Sequence, residues 1–400
     1  MSRILLLSNG HGEDLSGSLL AKELLKNGHF VDALPIVGKG IHYKKENINV
    51  IGRTKVFLTG GIGYTSLKGR LFEIFEGQII YFLQKLYLSY KLRRKYDFYL
   101  VVGDIVPVFF AWFAKKEFFT YLVAYSSHYE GKLKLPWPCQ YFLKSRNSKK
   151  IYTRDLLTAI DLTKQLGKRT SFLGNPFMDT FSSFNNKLKI FSLSVGLFPG
   201  SRFPEILDNL ILMIELLEAM SKLIYFQKIE FNFAIVNSLN ALKIEQILNK
   251  RKWKLLEKMG KNQMMKFQYK FINVNFYWNS FEQVMLKSTF VISMAGTATE
   301  QAIGLAKPVI QIEGKGPQFT KSFADAQRRL LGEYVFCATK YKNKKDQISQ
   351  TINLVIKVLY FIKLNKNYMS LCIDNAKQRL GEENACIRMV EDLINCHKNV

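Results

Sequence analysis

The residues best equipped for chemistry fall into two sets, half a chain apart. In the first, a short apolar run, Arg3–Ser8, leads into Asn9-Gly10-His11-Gly12-Glu13-Asp14. An imidazole and two carboxylates in one loop can give or take protons near neutral pH. Asp104 stands directly after Gly103, beyond a second apolar run, Asp97–Val102. The carboxyl end of a buried strand is where doubly wound sheets bind ligands. The second set follows two more apolar runs: Pro199-Gly200-Ser201-Arg202 after Ile190–Phe198, and Ser293-Met294-Ala295-Gly296-Thr297 after Phe290–Ile292. Amides, hydroxyls and one guanidinium suit a diphosphate. Each set also has a plainer reading, with Asp14 and Asp104 as helix caps and the small-residue turns as ordinary strand-to-helix connections.

The elements that must position these groups alternate in type. After the first loop the pattern predicts a helix over Leu15–Asn27, closed by Gly28, and a strand over Val31–Val37. Further strands are expected at Thr120–Tyr125, before Ser126-Ser127-His128-Tyr129, and at Ile151–Arg154 and Ser171–Leu173. The polar stretch Ser182–Lys189 reads as a linker, after which the alternation restarts. Helices are expected at Leu207–Lys222 and, basic and surface-lying, at Lys243–Asn262, with a strand Phe231–Val236 between them. In the second loop set a helix should run from Ala298 to Ala306, capped by Thr297 or Thr299, with Glu300 in its first turn and Pro308 stopping it. Helices at Ile348–Leu364 and Tyr368–Lys398 finish the pattern. Two successive runs of strand and helix imply an α/β protein of two Rossmann-like domains facing across a cleft. The expected boundaries are 1–185 and 186–370, with 371–400 a helix packing back on the first domain.

One side of that cleft would accept a proton and the other would hold a diphosphate. This division fits transfer from a nucleotide-linked donor to a hydroxyl. No D-x-D sequence offers to hold a metal-bound diphosphate. Arg202, backbone amides and a helix dipole would then carry the leaving-group charge, with no metal and no cofactor.

The formal net charge of +26 implies an anionic partner, although a lysine-rich compositional bias accounts for part of it. Nucleic-acid readers cluster arginine at recognition sites, and no such cluster occurs, so nucleic acid is not expected. Arg70–Tyr96 reads as a long amphipathic helix ending in Lys91, Arg93, Arg94 and Lys95. It suits either an anionic bilayer surface or a core-facing helix with a solvated basic end. The glycine-rich stretch Thr59–Thr65 could line an acceptor cleft. Five scattered cysteines, none in C-x-x-C spacing, fit a reduced compartment. The apolar start is too short for a signal peptide, and no run is long enough to cross a membrane.

These motifs resemble the lipid-A-disaccharide synthase family, and more closely its related-protein branch: glycosyltransferases of the two-domain GT-B fold. Phe198-Pro199-Gly200-Ser201-Arg202 with Glu205 is similar to the family's L-P-G-S-R-x-x-E signature, and Gly296-Thr297-Ala298-Thr299 to its S-G-T-A-T turn. Gly174-Asn175-Pro176 with Asp179 resembles its G-H-P-x-x-D segment. The resemblance implies that Gly200, Ser201, Arg202 and Glu205 lie near a UDP-sugar diphosphate, with Gly296, Thr297 and Thr299 beside them. The ribose partner would be Glu300 or Gln301, and Gln318 is placed like sugar- or phosphate-binding glutamines of related enzymes. On the acceptor side Asp14 matches the end of G-E-x-S-G-D, and Asp104-Ile105-Val106-Pro107 is one residue longer than the family's D-x-P loop. Gly10, Gly12 and Asn175 would line the cleft.

The implied activity is inverting, metal-independent transfer of an N-acetylglucosamine-type sugar from UDP to a lipid or glycolipid acceptor. It would take place in the cytoplasm, peripherally on the inner face of the inner membrane. Asp104 is the first choice of general base, followed by Asp14, Glu13 and His11. The competing expectations are a UDP-N-acetylglucosamine 2-epimerase and a non-catalytic membrane-associated scaffold.

Overall fold

The computed structural model describes residues 1–55, 78–131, 133–181, 193–260, 264–314, 320–338 and 340–398. The chain divides into two compact units, one of Met1–Ser182 with Leu380–Val400 and one of Ser183–Arg379. Thr59–Thr65, the first part of Arg70–Tyr96, the Ser182–Lys189 linker and Gln318 lie outside the described residues.

In the first unit the strands are β1 (Arg3–Ser8), β2 (Phe30–Pro35), β3 (Asn49–Val50), β4 (Phe98–Gly103), β5 (Phe118–Leu122), β6 (Ser148–Thr153) and β7 (Thr170–Ser171). They form one parallel sheet in the order β3-β2-β1-β4-β5-β6-β7. Strands covered on both faces need continuous apolar runs, which is why the central ones read Ile4-Leu5-Leu6-Leu7 and Phe98-Tyr99-Leu100-Val101-Val102, all buried. The helices are α1 (His11–Lys26), α2 (Ile41–Lys45), α3 (Gln78–Leu92), α4 (Ile105–Phe113), α5 (Ser127–Glu130), α6 (Trp137–Lys144) and α7 (Leu156–Leu166). The sheet order reverses direction between β1 and β4. That switch point is the crevice in which open α/β sheets hold ligands.

The second unit repeats the plan with β8 (Ser194–Phe198), α8 (Glu205–Met220), β9 (Glu230–Ile235), α9 (Ala241–Lys250), β10 (Lys254–Met259), β11 (Met264–Tyr269) and β12 (Ile272–Trp278). It continues with α10 (Phe281–Lys287), β13 (Phe290–Ser293), α11 (Gly296–Gly304), β14 (Val309–Gln311), α12 (Lys321–Leu331), β15 (Val335–Cys337), α13 (Lys344–Leu364) and α14 (Tyr368–Leu380). The sheet order is β10-β11-β12-β9-β8-β13-β14-β15. Its switch point falls between β8 and β13, directly ahead of the Pro199 and Gly296 turns. The final helix, α15 (Ala385–Lys398), belongs to the first unit, where Cys386, Met389, Val390 and Leu393 pack with Ile4, Leu6 and Phe98.

Several local expectations change. Lys243–Asn262 is not one helix: α9 ends at Lys250, and Lys254–Met259 pairs antiparallel with β11 at the sheet edge. Tyr368–Lys398 breaks in two, with Gly381 at φ 82° and Asn384 at φ 65° between the pieces. Asp14 is not a cap, because α1 begins earlier, at His11, and the Asp14 amide already donates to Gly10 O at 2.8 Å. Neither Thr297 nor Thr299 caps α11, whose N-cap is Ala295 with no side-chain hydrogen bond.

Candidate active site

At the switch point of the first unit, two consecutive residues at the end of β1 each hold one carboxylate. Ser8 Oγ donates to Asp14 Oδ1 at 2.6 Å, and the buried Tyr43 hydroxyl donates in turn to Ser8 Oγ at 2.9 Å. Asn9 Nδ2 donates to both oxygens of Asp104, at 3.2 and 3.1 Å. Asp104 is the N-cap of α4, its Oδ1 accepting from the Val106 amide at 2.9 Å. The capping role and the position at the strand end therefore coexist in one residue. Gly10 (φ 147°) and Gly103 (φ 144°) leave room for Glu13: a Cβ on Gly10 would lie 2.6 Å from Glu13 Oε2, and one on Gly103 3.4 Å from its Cγ. Gly12 lies in the first turn of α1, which His11 opens.

Burial sets the proton affinity of both carboxylates. Asp104 is pushed up to about 6, against the hydrogen bonds from Val106 and Asn9 that favour its charge. Asp14 is pushed up to about 7, with Ser8 and Lys85 favouring the charge and Glu13 opposing it. Asp104 is thus mostly ionised at neutral pH and can accept a hydroxyl proton, while Asp14 exchanges its proton near neutrality.

In the second unit three turns press together. The Met294 amide donates to Phe198 O at 2.9 Å, and Asn209 Nδ2 donates to Pro199 O at 2.9 Å. Gly200 stands at φ 97°, and a Cβ there would lie 3.4 Å from Met294 O. A Cβ on Gly314 would meet Asn209 Oδ1 and Met294 Cε, both at 2.8 Å. The left-handed backbone at Gly200 is what requires glycine there. Ser201 and Arg202 are exposed, and Glu205 opens α8. Gly296 and Thr297 begin α11 without a side-chain cap, so the first-turn amides and the dipole can meet an anion. Thr299, Glu300 and Gln301 are buried in that first stretch, with Thr299 Oγ1 donating to Ala295 O at 3.0 Å.

Asn175 serves local structure. Its Oδ1 accepts from the Phe177 amide at 3.0 Å, and its amide donates to Leu380 O at 2.8 Å. Asp179 holds the start of α15, accepting from the Ala385 and Cys386 amides at 3.1 and 2.7 Å. Among the described residues no cluster of three or more His, Cys, Asp or Glu is placed to hold a metal ion. Sequence reasoning assigned no role to Ser8, Asn9, Tyr43 or Lys85. Lys85 carried the best signal, a lysine on the apolar stripe of a helix between Phe82 and Leu86.

Two doubly wound units in succession define the GT-B glycosyltransferase fold. Among solved structures, the chain is similar to UDP-GlcNAc 2-epimerase from Neisseria meningitidis bound to UDP-GlcNAc (TM-score 0.56, 14% identity, 98% of this chain and 100% of that one). It is similar to MurG from Acinetobacter baumannii (TM-score 0.56, 12% identity, 99% of each chain). It is also similar to Alr3699/HepE from Anabaena in complex with UDP and glucose (TM-score 0.51, 13% identity, all of both chains). No protein-family model and no curated protein matches the chain.

Proposed function

We propose that this protein is a glycosyltransferase that moves an N-acetylglucosamine-type sugar from a UDP-sugar to a lipid-linked hydroxyl, as in the lipid-A-disaccharide synthases its motifs resemble. The observation that carries this reading is that the two units have unlike switch points. One unit presents buried carboxylates, and the other presents tight small-residue turns, an uncapped helix start and Arg202. Asp104 takes the acceptor hydroxyl proton as the oxygen attacks the anomeric carbon. The bond from that carbon to the UDP oxygen breaks with inversion, and UDP leaves. The leaving diphosphate is met by Arg202, by the amides of the Pro199 turn and by the first turn of α11. In this reading the reaction needs no metal or cofactor.

The lipid side of the proposal rests on a surface. Trp137 and Tyr141 on α6 are 74% and 59% exposed, and Phe113 at the end of α4, which packs on Tyr90 and Phe109, is also exposed. Trp112 of α4 packs on Tyr141 and Phe142. Lys115, just after α4, and Lys144, at the end of α6, are exposed. Exposed aromatics beside lysines suit the interface of an anionic bilayer. No described helix is long and apolar enough to cross a membrane, so the contact proposed is peripheral.

A second reading, UDP-N-acetylglucosamine 2-epimerisation, is favoured by the likeness to the Neisseria enzyme. It needs no lipid, and the aromatic face is the feature it leaves unused. Calorimetry with UDP and a panel of UDP-sugars tests the donor site, with Arg202→Ala as control. Saturable binding that the variant loses is expected, and absence of binding to every UDP compound would end both UDP-sugar readings. Incubation with UDP-GlcNAc alone then separates them, since epimerisation proceeds without an acceptor.

A further inference from the structure

Beside the carboxyl end of β2, α3 and the residues after β3 enclose a recess of about 300 Å³. Arg53, Lys85 and Lys91 bring three cations to its lining, Tyr81 and Tyr87 bring two rings, and no carboxylate lines it. Hydrogen bonds hold the recess in shape. Lys85 Nζ donates to Pro35 O at 2.8 Å, which uses one of the three ammonium protons. The Tyr81 hydroxyl bridges Ile36 O at 2.9 Å and Arg53 O at 3.2 Å, so the backbone carrying Arg53 is tied to α3. Gly52, at φ 76°, lets that backbone pass close to the helix: a Cβ there would lie 2.8 Å from Leu88 Cδ2. Ile80, Leu83 and Tyr87 are exposed and, at spacings of three and four residues, share one face of α3. Tyr87 also lines the recess, so this apolar stripe begins at its rim.

Three like charges gathered without a carboxylate repel one another until an anion joins them. A phosphate group brings about two negative charges and three acceptor oxygens, and guanidinium and ammonium donors are the groups that hold it. An apolar stripe at the rim adds nothing to the binding of free phosphate but suits acyl chains. We propose that the recess binds the phosphate headgroup of one lipid molecule, whose chains lie along Ile80, Leu83 and Tyr87. The site uses none of the exposed aromatic residues of α4 and α6. It does not depend on the transfer reading, because an epimerase with this recess would bind the same headgroup.

The test is calorimetry on the full chain with dihexanoyl phosphatidic acid below its micelle concentration. One saturable site per chain is expected, with inorganic phosphate and dihexanoyl phosphatidylcholine each binding about tenfold or more weakly. Arg53→Gln with Lys91→Gln, both at exposed positions, should weaken phosphatidic acid binding about tenfold or more and leave UDP binding as in the wild type. Ile80→Ser with Leu83→Ser should weaken the lipid by a similar factor and leave inorganic phosphate unchanged. Absence of saturable binding, or undiminished affinity in the Arg53 and Lys91 variant, overturns the recess as the site. Inorganic phosphate bound as tightly as the lipid overturns the lipid assignment, and phosphatidylcholine bound as tightly overturns recognition of the phosphate charge. Trp137→Ser with Tyr141→Ser should leave this binding intact, and its loss there would assign the lipid to the other surface and overturn the proposal.

Discussion

At the scale of single residues, Asp104 and Asp14 divide the work through their surroundings. Replacing Asp104 by Asn keeps the cap on α4 but removes the base. Turnover should fall by about 10²–10⁴-fold, with UDP affinity unchanged in calorimetry. The same carboxylates make stability depend on pH. Burial raises Asp14 to about 7 and Asp104 to about 6, both from an ordinary 3.8. The folded chain therefore holds protons that the unfolded chain has released, and their contribution to stability is present at about pH 4 and is lost as pH rises through 6 and 7. Lys85, lowered by burial to about 8, adds the opposite slope only above that pH. In urea melts, Asp14→Asn should flatten the fall between pH 5 and pH 8 by roughly 3 kcal/mol. An undiminished fall would mean that Asp14 is ionised throughout. The carboxylates were legible in the sequence because they follow apolar runs. Their partners were not, because Ser8, Asn9 and Tyr43 come together only when β1, α2 and β4 assemble.

At the scale of elements, the turns of the second unit are defined by the space they lack. Gly314→Ala places a methyl group 2.8 Å from both Asn209 Oδ1 and Met294 Cε. The Asn209 and Met294 side chains must then give way, and because Asn209 Nδ2 holds Pro199 O the change is expected to cost about 1–3 kcal/mol in urea melts and to lower UDP affinity. Wild-type affinity in that variant would remove these turns from the donor site. The strands beneath them were legible, since β8 and β13 are apolar runs ending in small residues. The β10–β11 hairpin was hidden. Lys254–Met259 is an exposed edge strand, and its alternation of lysine, leucine and glutamate reads equally well as a continuation of α9. The start of α11 misled for a related reason: Thr297 and Thr299 are good capping residues by type, but backbone geometry gives the cap position to Ala295.

For the molecule as a whole, the sequence already carried the two-unit GT-B plan, because β1–α1–β2 and β8–α8–β9 repeat one alternation of buried strand and amphipathic helix. What it left open was how the net charge of +26 is deployed. If the aromatic face of α4 and α6 meets a bilayer, the protein should sediment with vesicles containing phosphatidylglycerol and less with neutral ones. Added salt should weaken the association by screening. Trp137→Ser with Tyr141→Ser should lower vesicle binding about tenfold or more while leaving UDP binding intact. Equal sedimentation of wild type and variant would remove this face from the account.

The division of the chain also has a consequence for biosynthesis. The second unit is spelled out inside the first, since Ser183–Arg379 separates Met1–Ser182 from Leu380–Val400. Met389, Val390 and Leu393 of α15 complete the core beside Ile4, Leu6 and Phe98. On the ribosome, the first sheet therefore emerges with part of one face uncovered. It stays so while the second unit is translated, an interval of roughly ten to forty seconds at typical elongation rates. The domain begun first is the last to be finished, and its waiting apolar face is a natural client for a chaperone that binds nascent chains.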